Sequence, residues 1–158
     1  MSRDKEPLSR RLTQAAFLVL LLPILIQLVV IGFVLFLLYR LVLYALVWML
    51  WLPSGKDTLV IYSDSPIWHD YMTQQILPLV QERAMVLNWS ERKKWHRWSL
   101  PVQIFSPFGG GYAFNPMVIL FRPFRRAAVF RFWDAFKDWK RGYTEPVERL
   151  RNELLVKL

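Results

Sequence analysis

Residues 15–39, AAFLVLLLPILIQLVVIGFVLFLLY, decide the architecture of this chain, because no charged residue interrupts them. As a helix rising about 1.5 Å per residue they would extend about 37 Å, enough to cross a hydrocarbon core of about 30 Å with some tilt. Residues 1–14 form a basic tail with four cations and two anions. A secretory signal peptide has a shorter apolar core and a small-residue cleavage site. The sequence therefore predicts a retained N-terminal transmembrane helix.

A second apolar stretch, residues 41–52 (LVLYALVWMLWL), follows Arg40. It is too short for another full span, and a hairpin would place Arg40 near the middle of the bilayer at a considerable cost. We therefore expect a single-pass membrane anchor over 15–52: a span at 15–39 and an interfacial or helix-extending segment at 41–52. Tyr44, Trp48 and Trp51 would form an aromatic belt in the interface. The alternative is a re-entrant hairpin that turns at Gly32.

The orientation of the anchor follows from the positive charges on its two sides. The four cations of the tail outweigh Arg40 and Lys56, so the positive-inside rule places the N-terminus in the cytoplasm. The linker 53–57 and the domain 58–158 would then be extracytoplasmic.

The domain 58–158 shows the pattern of a small α/β fold. The apolar runs that predict strands are 58–62, 85–88, 102–105 and 117–121. Ser65, with Pro66 after it, predicts the start of a helix that Pro78 kinks or ends, and Ser90 predicts the cap of a short polar helix. Apolar residues at helical spacing predict a helix over 125–141 that Gly142 stops, and 145–158 is predicted as a last amphipathic helix.

Two segments carry a family resemblance. SDSPIW at 63–68, followed by Ile76-Leu77-Pro78, and FNPMVILF at 114–121 resemble the thioredoxin-fold disulfide oxidoreductases. In that family a strand ends in a Cys-Pro-x-Cys motif on a helix start, and a cis-proline precedes an apolar strand. The resemblance implies a thioredoxin-like fold for the domain, so the expected fold class is an N-terminal transmembrane helix followed by a small thioredoxin-like α/β domain. Ser65 and Trp68 stand where the thiols would be, and the chain has no cysteine. Thiol–disulfide redox catalysis, which needs a thiolate, is therefore excluded.

Polar residues follow the first two predicted strands at the edge where open α/β sheets place ligands. The predicted binding edge consists of Asp64, Ser65, Pro66, His69, Asn88 and Pro116. Ser65 and His69 have i, i+4 spacing on one helix, which supplies no third group to orient a base. His69 and His96 are the only histidines and belong to no ligand-spaced cluster. We therefore expect no catalytic residue, no metal and no cofactor.

Positive charge and aromatic rings are interleaved in two segments of the domain. From Lys56 onward 16 cations face 10 anions, and the whole chain has a net charge of +9. The predicted basic-aromatic surface consists of Arg92, Lys93, Lys94, Trp95, Arg97, Trp98, Arg122, Arg125, Arg126 and Arg131. On a domain held close to a bilayer, such faces fit anionic headgroups or an acidic protein partner better than nucleic acid.

Two functions of different classes remain open at this point. The first is a membrane-anchored, non-catalytic binding or assembly module with a redox-inactive thioredoxin-like domain. The second is a small membrane-bound transferase or hydrolase that acts on a phosphorylated or lipid-linked substrate through Asp64, Ser65, His69 and Asn88. The size of the domain favours the first, because about a hundred residues leave little room for a substrate pocket with a lid.

Overall fold

The computed structural model describes residues 8–110 and 116–158, and the chain divides into two compact units, Met1–Leu41 and Val42–Leu158. Helix α1, Leu8–Leu46, is continuous through Pro23 and Gly32. The hairpin alternative is therefore wrong. Every side chain from Leu22 to Leu38 is exposed, although nearly all of them are apolar. In the described part of the chain, one helical stretch, Leu20–Ser54, is long and apolar enough to cross a membrane.

The helix continues past α1 with altered pitch. A π-helical turn, Val47–Trp51, and a 3₁₀ turn, Leu52–Ser54, follow it, and Gly55 ends the stretch with a left-handed φ of 69°. Leu43, Val47 and Trp51 recur every four residues and are buried in the core of the second unit. The predicted anchor and domain bounds stay predictions. The predicted aromatic belt is wrong for Trp51, whose ring packs edge-on against Phe121.

The second unit is built on a mixed four-stranded sheet in the order β2-β1-β3-β4. The strands are β1 Thr58–Tyr62, β2 Ala84–Asn88, β3 Met117–Leu120 and β4 Ala128–Arg131. β1 pairs in parallel with β2 and antiparallel with β3, and β3 pairs antiparallel with β4. The prediction of a small α/β domain is thereby confirmed at the level of a mixed sheet with helices.

Both faces of the sheet are covered, which explains why β1 is almost wholly apolar. Leu59 and Ile61 point into a core formed with the last turns of α1 and with helix α4, Leu100–Gly109. Val60 points to the other side, because successive side chains of a strand alternate between faces. The elements on that side are α2 His69–Tyr71, a π-helical turn Met72–Ile76, α3 Leu77–Val80, α5 Trp133–Trp139 and α6 Glu145–Lys157.

The predicted strand at 102–105 is wrong, since these residues lie in α4. Pro101 occupies the first turn of this helix, where its missing N–H costs nothing. Ile104, Phe105 and Phe108 are buried on one side of it. An apolar run of four residues fits a strand and a buried helix face equally well, so the run alone could not distinguish them.

The helix predicted over 125–141 is also wrong in its first half. Ala128–Arg131 forms β4, and the helix is α5, Trp133–Trp139. The turn at Pro123-Phe124 folds this segment back onto β3, whose pairing outweighs the helical spacing of the apolar residues. The other predicted strands and the last helix are confirmed at 58–62, 84–88, 117–120 and 145–157. The predicted stop at Gly142, with φ of 93°, is confirmed too.

Candidate functional site at the carboxyl end of the sheet

Strand register brings three chain segments to one end of the sheet. Tyr62, the last residue of β1, pairs with Asn88, the last residue of β2. On the other side of β1, Ile61 pairs with Met117, the first residue of β3. The loop after β1, the turn after β2 and Pro116 before β3 therefore lie at the carboxyl end of β1 and β2.

The loop after β1 is held by a tryptophan. The indole Nε1 of Trp68 donates a hydrogen bond of 2.9 Å to Ser63 Oγ, and Ser63 is buried. Trp68 also packs against Trp133 and Phe136, with ring centroids 5.3 and 6.0 Å away. The loop between Ser63 and Trp68 is thus tied at both ends to the core. This fixes the position of Asp64 between them.

The predicted capping role of Ser65 is wrong. Helix α2 begins at His69, and its N-cap residue, Trp68, makes no side-chain capping bond. The carbonyl of Ser65 accepts the N–H of His69 at 2.9 Å, so Ser65 contributes its backbone to the first turn. Pro66 lies in the turn that leads into the helix. The helix therefore starts three residues beyond Pro66, the position that the Ser-Pro pair predicts.

Asp64, Asn88 and Ser90 form a closed hydrogen-bonded ring. Asn88 Nδ2 donates to Asp64 Oδ1 at 2.7 Å, and the backbone N–H of Asp64 donates to Ser90 Oγ at 3.0 Å. The backbone N–H of Ser90 donates in turn to Asn88 Oδ1 at 3.0 Å. Asn88 therefore caps the 3₁₀ turn Trp89–Lys94, and the prediction of Ser90 as this cap is wrong. The ring joins the ends of the two parallel strands through side chains.

His69 and Tyr62 adjoin this ring. His69 Nδ1 lies 3.7 Å from Asp64 Oδ1, which is within reach of an ion pair but too long for a hydrogen bond. This nitrogen is buried and has no hydrogen-bond partner among the described residues. The His69 ring lies 5.7 Å from that of Tyr62. Burial of the phenol, together with the carboxylates of Asp64 and Glu91, raises the pKa of Tyr62 above its usual value.

Pro116 is buried and its carbonyl accepts the N–H of Phe132 at 3.0 Å. It therefore connects the start of β3 to the start of α5 at the same end of the sheet as the ring. The rest of the FNP segment, residues 114 and 115, lies outside the described residues. The predicted binding edge stays a prediction, but its members do lie at one end of the sheet.

An aromatic groove adjoins the ring on the side of β2. It has a volume of about 570 Å³ and is lined by Trp89, Arg92, Trp95, Arg97 and Val102. Trp95 Nε1 donates to the carbonyl of Asn88 at 3.1 Å, so a hydrogen bond links the groove to the ring. The Arg92 guanidinium stacks over the Trp89 ring at 5.1 Å. Trp89, which sequence reasoning left out of the surface, is recognisable as the aromatic residue between Asn88 and the basic run.

The remaining members of the predicted basic-aromatic surface are distributed over both ends of the sheet. Lys93 and Trp98 are exposed beside the groove, and Lys94 pairs with Glu91 at 2.7 Å. Arg122, Arg125 and Arg126 lie in the β3–β4 loop instead. That loop follows Leu120, which pairs with Thr58 at the amino end of β1. The structure thus separates the predicted surface into two.

Arg131 belongs to neither of these two surfaces. It is the last residue of β4, and its Nη2 donates to the carbonyl of Gly109 at 3.3 Å. This bond ties the edge strand to the end of α4. A structural role for Arg131 follows from it.

This end of the sheet presents hydrogen-bonding groups and aromatic rings. Asp64, Asn88 and Ser90 form hydrogen bonds with one another. The neighbouring groove is lined mainly by aromatic and guanidinium groups. Among the described residues no cluster of three or more histidine or acidic side chains could hold a metal ion.

Comparison with known proteins assigns the chain to no family. No protein-family model, no curated protein and no solved structure matches the chain.

Proposed function

We propose that this chain is a membrane-anchored, non-catalytic binding module whose redox-inactive, thioredoxin-like domain holds an acidic segment of a protein partner. The anchor is the apolar helix α1, whose exposed side chains suit lipid. Two features support the thioredoxin-like proposal: the order strand, helix, strand, helix, β-hairpin and helix, and the position of the 63–68 loop and Pro116 at one end of the sheet.

The observation that carries the binding proposal is the groove of Trp89, Arg92, Trp95, Arg97 and Val102. Its cations can bind carboxylates, and its indoles provide flat apolar surface with little side-chain entropy to lose. The lining includes none of Asp64, Ser65 and His69. An open groove that these polar groups do not line favours a binding surface over an enclosed reaction site.

A labelled oligoglutamate peptide tests the groove, with the full chain in nanodiscs of phosphatidylcholine. We expect binding by the unaltered chain and about tenfold weaker binding by the Arg92→Ala/Arg97→Ala variant, equivalent to about 1.4 kcal/mol. The matched control is Arg141→Ala/Arg149→Ala, which removes the same charge from exposed side chains on and beside other helices. An equal loss of peptide affinity in both variants would show that only the net charge matters, and would refute the groove as the binding site.

The competing enzyme function has its own test. Hydrolysis of p-nitrophenyl phosphate by the unaltered chain, lost in His69→Gln, would overturn the non-catalytic proposal.

Anchoring is tested by alkaline carbonate washing of membranes. The full chain should remain in the pellet, and its release would refute integral insertion.

A further inference from the structure

Phe124, at the tip of the β3–β4 loop, has an unfavourable backbone and an unfavourable environment. Its side chain is 91% exposed. Its φ of 56° makes it the sole non-glycine residue with positive φ in the described part of the chain. A bulky side chain disfavours this backbone region, and water disfavours an exposed phenyl ring. Strain of this kind is concentrated at functional sites.

The loop is fastened to the last turn of α1 and to the π-helical turn that follows it. The N–H of Ala127 donates to Tyr44 Oη at 2.6 Å, and the Phe124 ring lies 5.4 Å from that of Trp48. At its other end, the N–H of Phe121 donates to the carbonyl of Asp57 at 2.7 Å. Phe124 therefore extends from a supported loop and lies next to Trp48, the second residue of the π-helical turn.

Apolar surface continues from Trp48 along the chain. Met49 is 63% exposed and Leu50 is 56% exposed, whereas Val47 and Trp51 on either side of them are buried. Both exposed residues belong to Leu20–Ser54, the stretch that is apolar and long enough to cross a membrane. The surface beside Phe124 is thus continuous along the chain with the candidate membrane helix.

Cations surround the tip of the loop. Arg125 and Arg126 are exposed and Arg122 is half-buried, and in the described residues none of the three forms an ion pair. Residues 122–127 contain no acid. An aromatic wedge with arginines around it matches the interface of an anionic bilayer, where the ring enters the acyl boundary and the guanidinium groups bind phosphates.

We propose that the β3–β4 loop is a lipid-inserting loop: Phe124 enters the interface of an anionic bilayer while Arg122, Arg125 and Arg126 bind its phosphate groups. Continuity with the membrane helix favours lipid over an acidic protein at this surface. The inference rests on the proposed anchoring and adds a second, separate lipid contact made by the domain.

Spin labelling tests the loop in the full chain, and the absence of native cysteine leaves a single labelled site. Phe124→Cys and Trp98→Cys each receive a nitroxide, in vesicles of phosphatidylcholine alone or mixed with phosphatidylglycerol. Both native side chains are highly exposed, so the labels should leave the fold intact, which circular dichroism checks. Collision rates with oxygen and with a water-soluble nickel complex report the depth of each label.

In phosphatidylglycerol vesicles, the label at 124 should favour oxygen over the nickel complex, while the label at 98 favours nickel. Adding Arg125→Gln and Arg126→Gln should move the label at 124 towards water. A label at 124 that stays aqueous in both lipids, in a chain that resists carbonate extraction, would overturn the lipid-inserting loop and leave the anchor intact. Extraction of the chain by carbonate would instead refute the anchor. Immersion that is unaffected by lipid charge or by the arginine substitutions would overturn the phosphate contacts.

Discussion

Replacing Trp51 by alanine tests whether the segment after α1 is an integral part of the domain. The side chain is 6% exposed, and its ring lies 6.3 Å from that of Phe121 at an angle of 88°. Truncating a buried Trp to Ala removes apolar contacts and leaves a cavity, at a cost of about 3–5 kcal/mol. Because small domains are stable by only about 5–15 kcal/mol, Trp51→Ala should lower the midpoint of unfolding substantially.

The assay is urea unfolding of the full chain in mild detergent, followed by tryptophan fluorescence and by near-UV circular dichroism. Val47→Ala, at a fully buried position, should cost roughly 1–3 kcal/mol. The matched control is Met49→Ala, in the same turn but exposed, which should stay within about 0.5 kcal/mol. Unfolding of Trp51→Ala at the same urea concentration as the control would show that the segment does not belong to the domain core.

Three further variants test the fold with the same unfolding assay. Arg83→Met removes the guanidinium that binds buried Asp57 and the carbonyl of Leu158. Because Arg83 is partly exposed, we expect the free energy of unfolding to fall by about 1–3 kcal/mol, less than for a fully buried pair. Asn88→Ala removes a cap and the bond to Asp64, at about 0.5–2 kcal/mol, and no loss would contradict the ring. Burial and the Glu148 carboxylate raise the pKa of Tyr71 from 10.0 to about 12. The shift therefore contributes to the free energy of unfolding below pH 10, and this contribution should be lost as the pH rises to about 12. The Tyr71→Phe variant should not show this decrease.

The sequence predicts those parts of the fold where one physical signal dominates. Strands β1 and β3 are β-branched, apolar runs between turn residues, and both were predicted closely. Helix α4 was missed because its buried face, including Ile104 and Phe105, gives the same short apolar run as a strand. β4 was missed because its place in the sheet depends on pairing with β3, a contact that local periodicity does not encode.

Topology is enough to predict which residues lie together at the carboxyl end of β1 and β2. Asp64 and Asn88 were expected at neighbouring strand ends, and they share a hydrogen bond there. The cap at Ser65 failed because the backbone forms a turn first and begins the helix at His69. The burial of Leu43 and Val47 could not be predicted, since a lipid interior and a protein core select the same apolar residues.

The two basic surfaces lie at opposite ends of β1, and the length of this strand determines how strongly the charges of one surface act on those of the other. A five-residue strand is about 16 Å long, twice the Debye length of about 8 Å at physiological ionic strength. Charge bound at Arg125 and Arg126 is therefore largely screened at Arg92 and Arg97. Neutralising one end leaves the potential at the other almost unchanged, so the domain can saturate both ends without competition between them.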